Sequence, residues 1–308
     1  MNTASARLPI PVLINLIAMV GYSSCYFLLL YLAAQARSAG SLIIWALAFA
    51  VNMIPIYSLI HEAEHRMLLP NPRWNDRCGR WLCALFIVSF TFFKHCHLRH
   101  HKKNRTDIEM WDMYSEHQPR GARRWNLYLM LSGFGYFLIW LSVVLFAVAP
   151  AAIYRGLFQR HTEIAGFLTG SDQPRKLRAI RRECWGVLAF QAAILVWLRF
   201  NVGAWLAVFA IHGFVWSSQN YVNHAYSRRD IINGAHNLRV PAWLKPIYLN
   251  FNLHLAHHQN PHVPWVHLPA LVEPGSHRMS FFYNYLRLWG GPRLTREPNP
   301  TLAAHVAD

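Results

Sequence analysis

Hydrophobic positions along the chain gather in long blocks separated by short polar breaks. Residues 10–36 (IPVLINLIAMVGYSSCYFLLLYLAAQA) carry no charge, and residues 41–60 (SLIIWALAFAVNMIPIYSLI) follow after Arg37-Ser38-Ala39-Gly40. About 20 apolar residues, rising 1.5 Å each, cross a hydrocarbon core roughly 30 Å thick. The two blocks therefore predict a transmembrane helical hairpin. The first lacks the small-residue pattern at which a secretory signal is cut, so it is expected to stay in the mature chain. Residues 185–200 (WGVLAFQAAILVWLRF) and 203–218 (GAWLAVFAIHGFVWSS) predict a second hairpin around Asn201-Val202-Gly203, each arm slightly short for a span. Residues 81–93 (WLCALFIVSFTFF) are too few to cross and predict an interfacial or re-entrant helix.

Residues 127–153 are long enough to cross. A crossing there would place Arg155, Arg160, Arg175, Lys176, Arg178, Arg181 and Arg182 outside, against the inward bias of positive charge. Gly133-Phe134-Gly135 offers a break, so a helical hairpin that dips in and returns is expected instead. All basic loops then share one cytoplasmic face. The expected fold is all-α and polytopic: a single domain over residues 1–308 with about four transmembrane helices, re-entrant or interfacial helices, a cytoplasmic helical cap and an irregular tail at 292–308.

Composition narrows the class. Hydrophobic residues make up 54% and charged residues 14%, against about 25% charged in a soluble domain. That excludes an ordinary soluble protein and a disordered one. Lys and Arg number 30 against 14 Asp and Glu, a net charge of +16. The excess falls between apolar blocks, which fits the cytoplasmic side of an inner membrane and its anionic lipids rather than nucleic acid. Cys25, Cys78, Cys83, Cys96 and Cys184 are odd in number and lack CxxC spacing, which argues against a disulfide framework and for a reducing face.

Histidine is the outlier at 18 residues, most of them in three clusters. His61-Glu62-Ala63-Glu64-His65 puts two imidazoles one helical turn apart, which suits two ligands to one ion. His97-Leu98-Arg99-His100-His101 and His254-Leu255-Ala256-His257-His258 repeat the pattern HxxHH. There the third histidine stands beside the first two at a different angle, so one helix can serve two neighbouring ions. The clusters together bring eight histidines from three distant segments. Nitrogen ligands suit Fe, Zn, Cu or Ni, so spacing alone does not choose the metal. HEAEH also matches the HExxH helix of zinc hydrolases, with Glu62 as base, but that reading leaves both HxxHH clusters unexplained. A metal carrier would hold its ligands in flexible loops or along a pore, whereas these histidines sit beside predicted helix ends.

The order HxxxH, HxxHH and a distant HxxHH resembles the integral-membrane fatty acid desaturase and hydroxylase superfamily, from about His61 to Pro269. The stretch from His254 to Pro269 looks like that family's third box and its Pro-rich turn. Asn220-Tyr221-Val222-Asn223-His224 resembles its NxxxH element. The resemblance implies two iron ions held by His61, His65, His97, His100, His101, His224, His254, His257 and His258, with Asn220 holding a water. Glu64 departs from it, standing where the family has a small residue. O2 is the implied co-substrate, and a lipid acyl chain or acyl thioester the implied substrate. No cytochrome b5-like haem segment is apparent, so a separate ferredoxin, rubredoxin or cytochrome b5 type protein would deliver electrons. Desaturation is the expected reaction; hydroxylation of an acyl chain, alkane or carotenoid uses the same ligands.

Several neighbours invite roles of their own. Lys94, Arg99, Lys102, Lys103 and Arg105 are candidates to hold an anionic headgroup or an acidic electron carrier, or simply to meet anionic lipid. One carboxylate among Asp107, Glu109 and Asp112 is expected to hydrogen-bond a ligand imidazole, with pairing to a nearby Arg as the alternative. Trp111 and Tyr114 read as interfacial anchors. His95, His212, His236, His262 and His267 have no box position and read as supporting residues.

Overall fold

The computed structural model describes residues 8–150, 152–153, 170–171 and 173–301; Arg155 and Arg160 lie outside them. The fold is mostly helical and polytopic. Helix α1 (Val12–Ala34) and helix α2 (Ala39–Glu64) form the expected hairpin. Ser38 starts α2 by accepting from the Ser41 amide at 3.1 Å, while the Ser41 hydroxyl accepts from the Ser38 amide at 3.2 Å, a reciprocal cap. Helix α2 ends on the first histidine box, and Arg66 (φ 63°) then turns the chain away.

Helix α3 (Pro72–Phe86) opens on Asn71, whose side chain accepts from the Arg73 and Trp74 amides. It stops at Ile87, which takes a left-handed conformation (φ 57°). Ser89 then caps helix α4 (Phe90–Lys103), which departs at 97° to α3. Residues 81–93, expected as one interfacial or re-entrant helix, are thus the corner between two. Glu183 holds that corner: its carboxylate accepts from the Ser89 hydroxyl (2.6 Å), the Thr91 amide (2.8 Å) and hydroxyl (2.7 Å), and Arg80 (2.8 Å).

The segment from 120 onward carries the break expected at Gly133-Phe134-Gly135. Helix α5 (Arg120–Leu129), a π turn (Met130–Phe134) and helix α6 (Gly135–Val148) follow one another without a loop, as a 29-residue helical run kinked at Gly133. The break foreseen at Gly133 is present as a kink. Gly133 takes φ 101°, and a Cβ there would stand 3.1 Å from the Phe214 amide nitrogen, so a backbone rather than a side chain fills the space.

Helix α7 (Pro174–Trp197) and helix α8 (Val202–Asn220) follow, with Asn201 capping α8 through the Ala204 amide. Among the described residues, three helical runs are long and apolar enough to cross a membrane: 12–34, 39–64 and 120–148, or four if α3 and α4 count as one bent span. The arms expected at 185–200 and 203–218 form as helices but fall outside that set. Helix α8 instead packs along α2 in the main core, which also joins α1, α3, α4, α6 and α7.

Short helices α9 (Lys245–Tyr248), α10 (His254–Gln259) and α11 (Phe281–Leu288) build the cap. Helices α9 and α11 close over a second, smaller core that includes Leu127, Val222, Leu238, Tyr248 and Phe281, while Ala256 of α10 packs with Leu253 and Leu268. Within the tail expected to be irregular, Arg293–Leu294 pairs in parallel with Met113–Tyr114. Outward faces of the long helices remain apolar: Leu13 and Ile17 on α1, Phe137 on α6 and Trp197 on α7 are each more than half exposed. Such a continuous apolar surface belongs against lipid.

Candidate metal centre

Four elements carry the nine histidines to one place. The end of α2 supplies His61 and His65, α4 supplies His97, His100 and His101, the turn after α8 supplies His224, and α10 supplies His254, His257 and His258. They separate into two adjacent groups. His61, His65, His97, His101 and His257 form one, and His100, His224, His254 and His258 the other; within each, one ligand atom per residue lies within 4.8 Å of all the rest. Helical spacing explains the division, though not in the expected way: in each HxxHH box the second histidine, not the third, stands apart from the other two. On α4, His97 and His101 are one turn apart and join the same group, while His100 faces the other. On α10, His254 and His258 pair in one group and His257 turns to its neighbour. The His101 and His258 rings stack at 4.4 Å across the divide.

The ring nitrogens are set for a cation. Nε2 of His97 lies 2.7 Å from Nε2 of His65 and 3.1 Å from that of His101, which in turn lies 3.1 Å from Nε2 of His257. A ring nitrogen owns either one hydrogen or one in-plane lone pair. His97 and His101, each facing two other nitrogens, therefore cannot satisfy both contacts with linear hydrogen bonds. One shared ion accepting all four lone pairs can, and two nitrogens about 2.1 Å from one ion at a right angle stand about 3 Å apart. In the second group Nε2 of His100 and His258 are 3.2 Å apart. Nε2 of His61 is buried with no hydrogen-bond partner. An all-imidazole donor set fits iron, and also zinc, copper or nickel.

Burial keeps the rings contributed by the cap neutral. His224, His254, His257 and His258 have pKa values held well below the usual imidazole value, first by loss of solvent and then by neighbouring rings, foremost His100, His224, His61 and His254 respectively. Neutral rings keep their lone pairs at neutral pH. Outer nitrogens orient the rings. His100 donates from Nδ1 to Glu109 at 2.5 Å, and His224 from Nδ1 to the Gly234 carbonyl at 2.8 Å, which leaves Nε2 of each as the inward lone pair. Glu62 and Glu64 approach Nδ1 of His61 and His97 at 3.9 Å. Glu64 is thereby a buried carboxylate against a histidine of the second box. Asn220 closes α8, half-buried, four residues before His224.

The expected carboxylate is Glu109. Asp107 pairs with Arg229 and Asp112 with Arg105, both at 2.6 Å. Of the five cations expected to hold an anionic group, Arg105 is fully buried and Lys94 pairs with Asp76 at 3.3 Å. Lys102 and Lys103 are exposed at the end of α4. Trp111, expected as an interfacial anchor, packs against the smaller core, and Tyr114 sits in the two-residue ladder. His236 and His267 bond the Ala225 and Pro9 carbonyls as supporting residues, and His212 packs edge-on against Phe86 and Tyr136.

Sequence reasoning missed the Gly234 carbonyl, because a backbone acceptor leaves no residue-type signal. It also missed Trp265. That residue's amide donates to Glu62 at 3.1 Å and its indole to Asn15 at 2.9 Å. Trp265 walls a cavity of about 10 Å³ shared with His61, His254, His257, Phe251 and Leu268.

The family model for fatty acid desaturase matches residues 39–287. The chain belongs to the fatty acid desaturase family, and that span takes in every histidine of the centre. Comparison with curated proteins found no match. Family and histidine groups together make this a membrane oxidoreductase of the desaturase and hydroxylase type.

Proposed function

We propose that the nine histidines hold two iron ions and that the protein carries out O2-dependent desaturation of a lipid acyl chain. The observation that carries this reading is the sorting of the three boxes and His224 into two adjacent, mostly buried, all-nitrogen groups. Two ferrous ions in such a setting supply reductive O2 chemistry able to take hydrogen from an unactivated C–H bond. The balance is an acyl CH2–CH2 unit, O2, two electrons and two protons giving a CH=CH unit and two waters. The electrons come from a separate ferredoxin, rubredoxin or cytochrome b5 type protein.

The chain's own residues orient, exclude water and shape the approach. Glu109 and the Gly234 carbonyl fix the His100 and His224 rings by taking their outer hydrogens. Leu249, Phe251, Trp265 and Leu268 form an apolar wall where rings of both groups meet. Asn220 is assigned the role of holding a water at the four-histidine group. The basic excess supports a centre at the cytoplasmic face of a bacterial inner membrane, with Lys102 and Lys103 exposed beside it. Expression in a host of simple lipid profile, followed by mass spectrometry of its fatty acids, tests the reading. A new acyl species lighter by two hydrogens is expected; a species heavier by one oxygen would make the enzyme a hydroxylase.

A further inference from the structure

A buried polar strut beside the histidines has no place in the chemistry above. The Arg105 side chain is fully buried, on a backbone at φ 61°. Its guanidinium donates to Asp112 (2.6 Å), the Tyr221 hydroxyl (2.8 Å) and the Ser227 carbonyl (2.8 Å). Asp112 also accepts from the Tyr221 hydroxyl at 3.0 Å and from the Tyr226 amide. The Asn104 amide donates to the Ile231 and Gly234 carbonyls, each at 3.1 Å. Residues 104–112 are thereby stitched to residues 221–234.

Each stitched segment supplies one ring support of the four-histidine group. Glu109 comes from the first, and the Gly234 carbonyl, shared by Asn104 and His224, from the second. Gly234 is fitted to the strut itself, since a Cβ there would stand 2.3 Å from Cγ of Arg105 and 2.2 Å from the Asp230 carbonyl. The other two members, His254 and His258, have a buried Nδ1 with no partner. The five-histidine group draws on none of this: its nearby carboxylates, Glu62 and Glu64, sit on α2.

We propose that Arg105 is a positioning residue for one metal of the pair, holding the four-histidine half in register through Glu109 and Gly234 while the five-histidine half stands without it. This rests on the reading that the nine histidines hold two metal ions. Iron per chain in the purified holoenzyme, and its release to a chelator, test it. Arg105→Met is expected to retain about one iron where the wild type holds two, because lost outer-sphere partners weaken a site by about 10–100-fold. Tyr221→Phe, which removes only a hydroxyl, is the milder variant and should speed release of one equivalent and leave the other at the wild-type rate. His224→Ala is the reference for an emptied four-histidine group, and adding it to Arg105→Met should remove no further iron. Both equivalents lost in step, wild-type release from Tyr221→Phe, or further loss in the double variant would overturn the inference and leave the two-metal reading intact. A wild-type chain holding fewer than two metals would overturn that reading and the inference with it.

Discussion

An imidazole can serve as a ligand only while its lone pair is free, and burial favours that at the rings of the cap. His224, His254, His257 and His258 resist protonation in the folded chain, whereas the unfolded chain takes up protons near pH 6.5. Their folded pKa values are depressed, so the associated stability is fully present above about pH 6.5 and is lost as pH falls below it. Thermal melts of the metal-depleted protein in detergent should show a falling midpoint from pH 7 toward pH 5. A midpoint unchanged across that range would contradict it. His257→Ala and His100→Ala each remove one ligand from a different group and should each abolish turnover while the protein remains in the membrane. Product analysis and membrane blots check both. The histidines themselves were legible from spacing, and His224 from resemblance to NxxxH. Their supports were legible only as a class: a carboxylate near the second box was foreseen, but sequence could not separate Glu109 from Asp107 and Asp112. That choice depends on which arginine, Arg229 or Arg105, folds back to claim the others.

Elements were legible where apolar length alone decides them. The α1–α2 hairpin follows from two uncharged blocks and a short break, and it stands as expected. The break at Gly133 was legible in the 120–148 run, but a glycine pair signals a break without giving its angle. Close packing against Phe214 turns that break into a kink. Gly133→Ala should therefore cost about 1–3 kcal/mol, since its side chain must adopt a positive φ as well as displace α8. A melt of the purified variant reads this directly, and an unchanged midpoint would remove the kink's structural role. The corner at 87–89 was hidden for a different reason. An apolar run of this length reads as one interfacial or re-entrant helix, and the Ser89 cap together with the distant carboxylate of Glu183, which accepts from Ser89 and Thr91, fixes where α4 begins.

Taken whole, the molecule is a set of lipid-facing helices that present a histidine-rich floor to a small cap. The long helices carry two boxes at or near their ends, and the cap folds the third box and His224 down upon them, so neither part contains a complete group. This explains how segments nearly 200 residues apart, His61 and His257, come to lie with ring centroids 4.2 Å apart. Metal binding should accordingly tie cap to membrane helices and raise the melting midpoint of the intact protein, since a ligand bound to the folded state alone stabilises it. X-ray absorption on protein purified with its metal addresses the centre most directly. The account predicts an iron edge, two iron ions per chain and a nitrogen-dominated ligand shell from imidazole. A zinc edge at one ion per chain, or a shell dominated by sulfur, would contradict it.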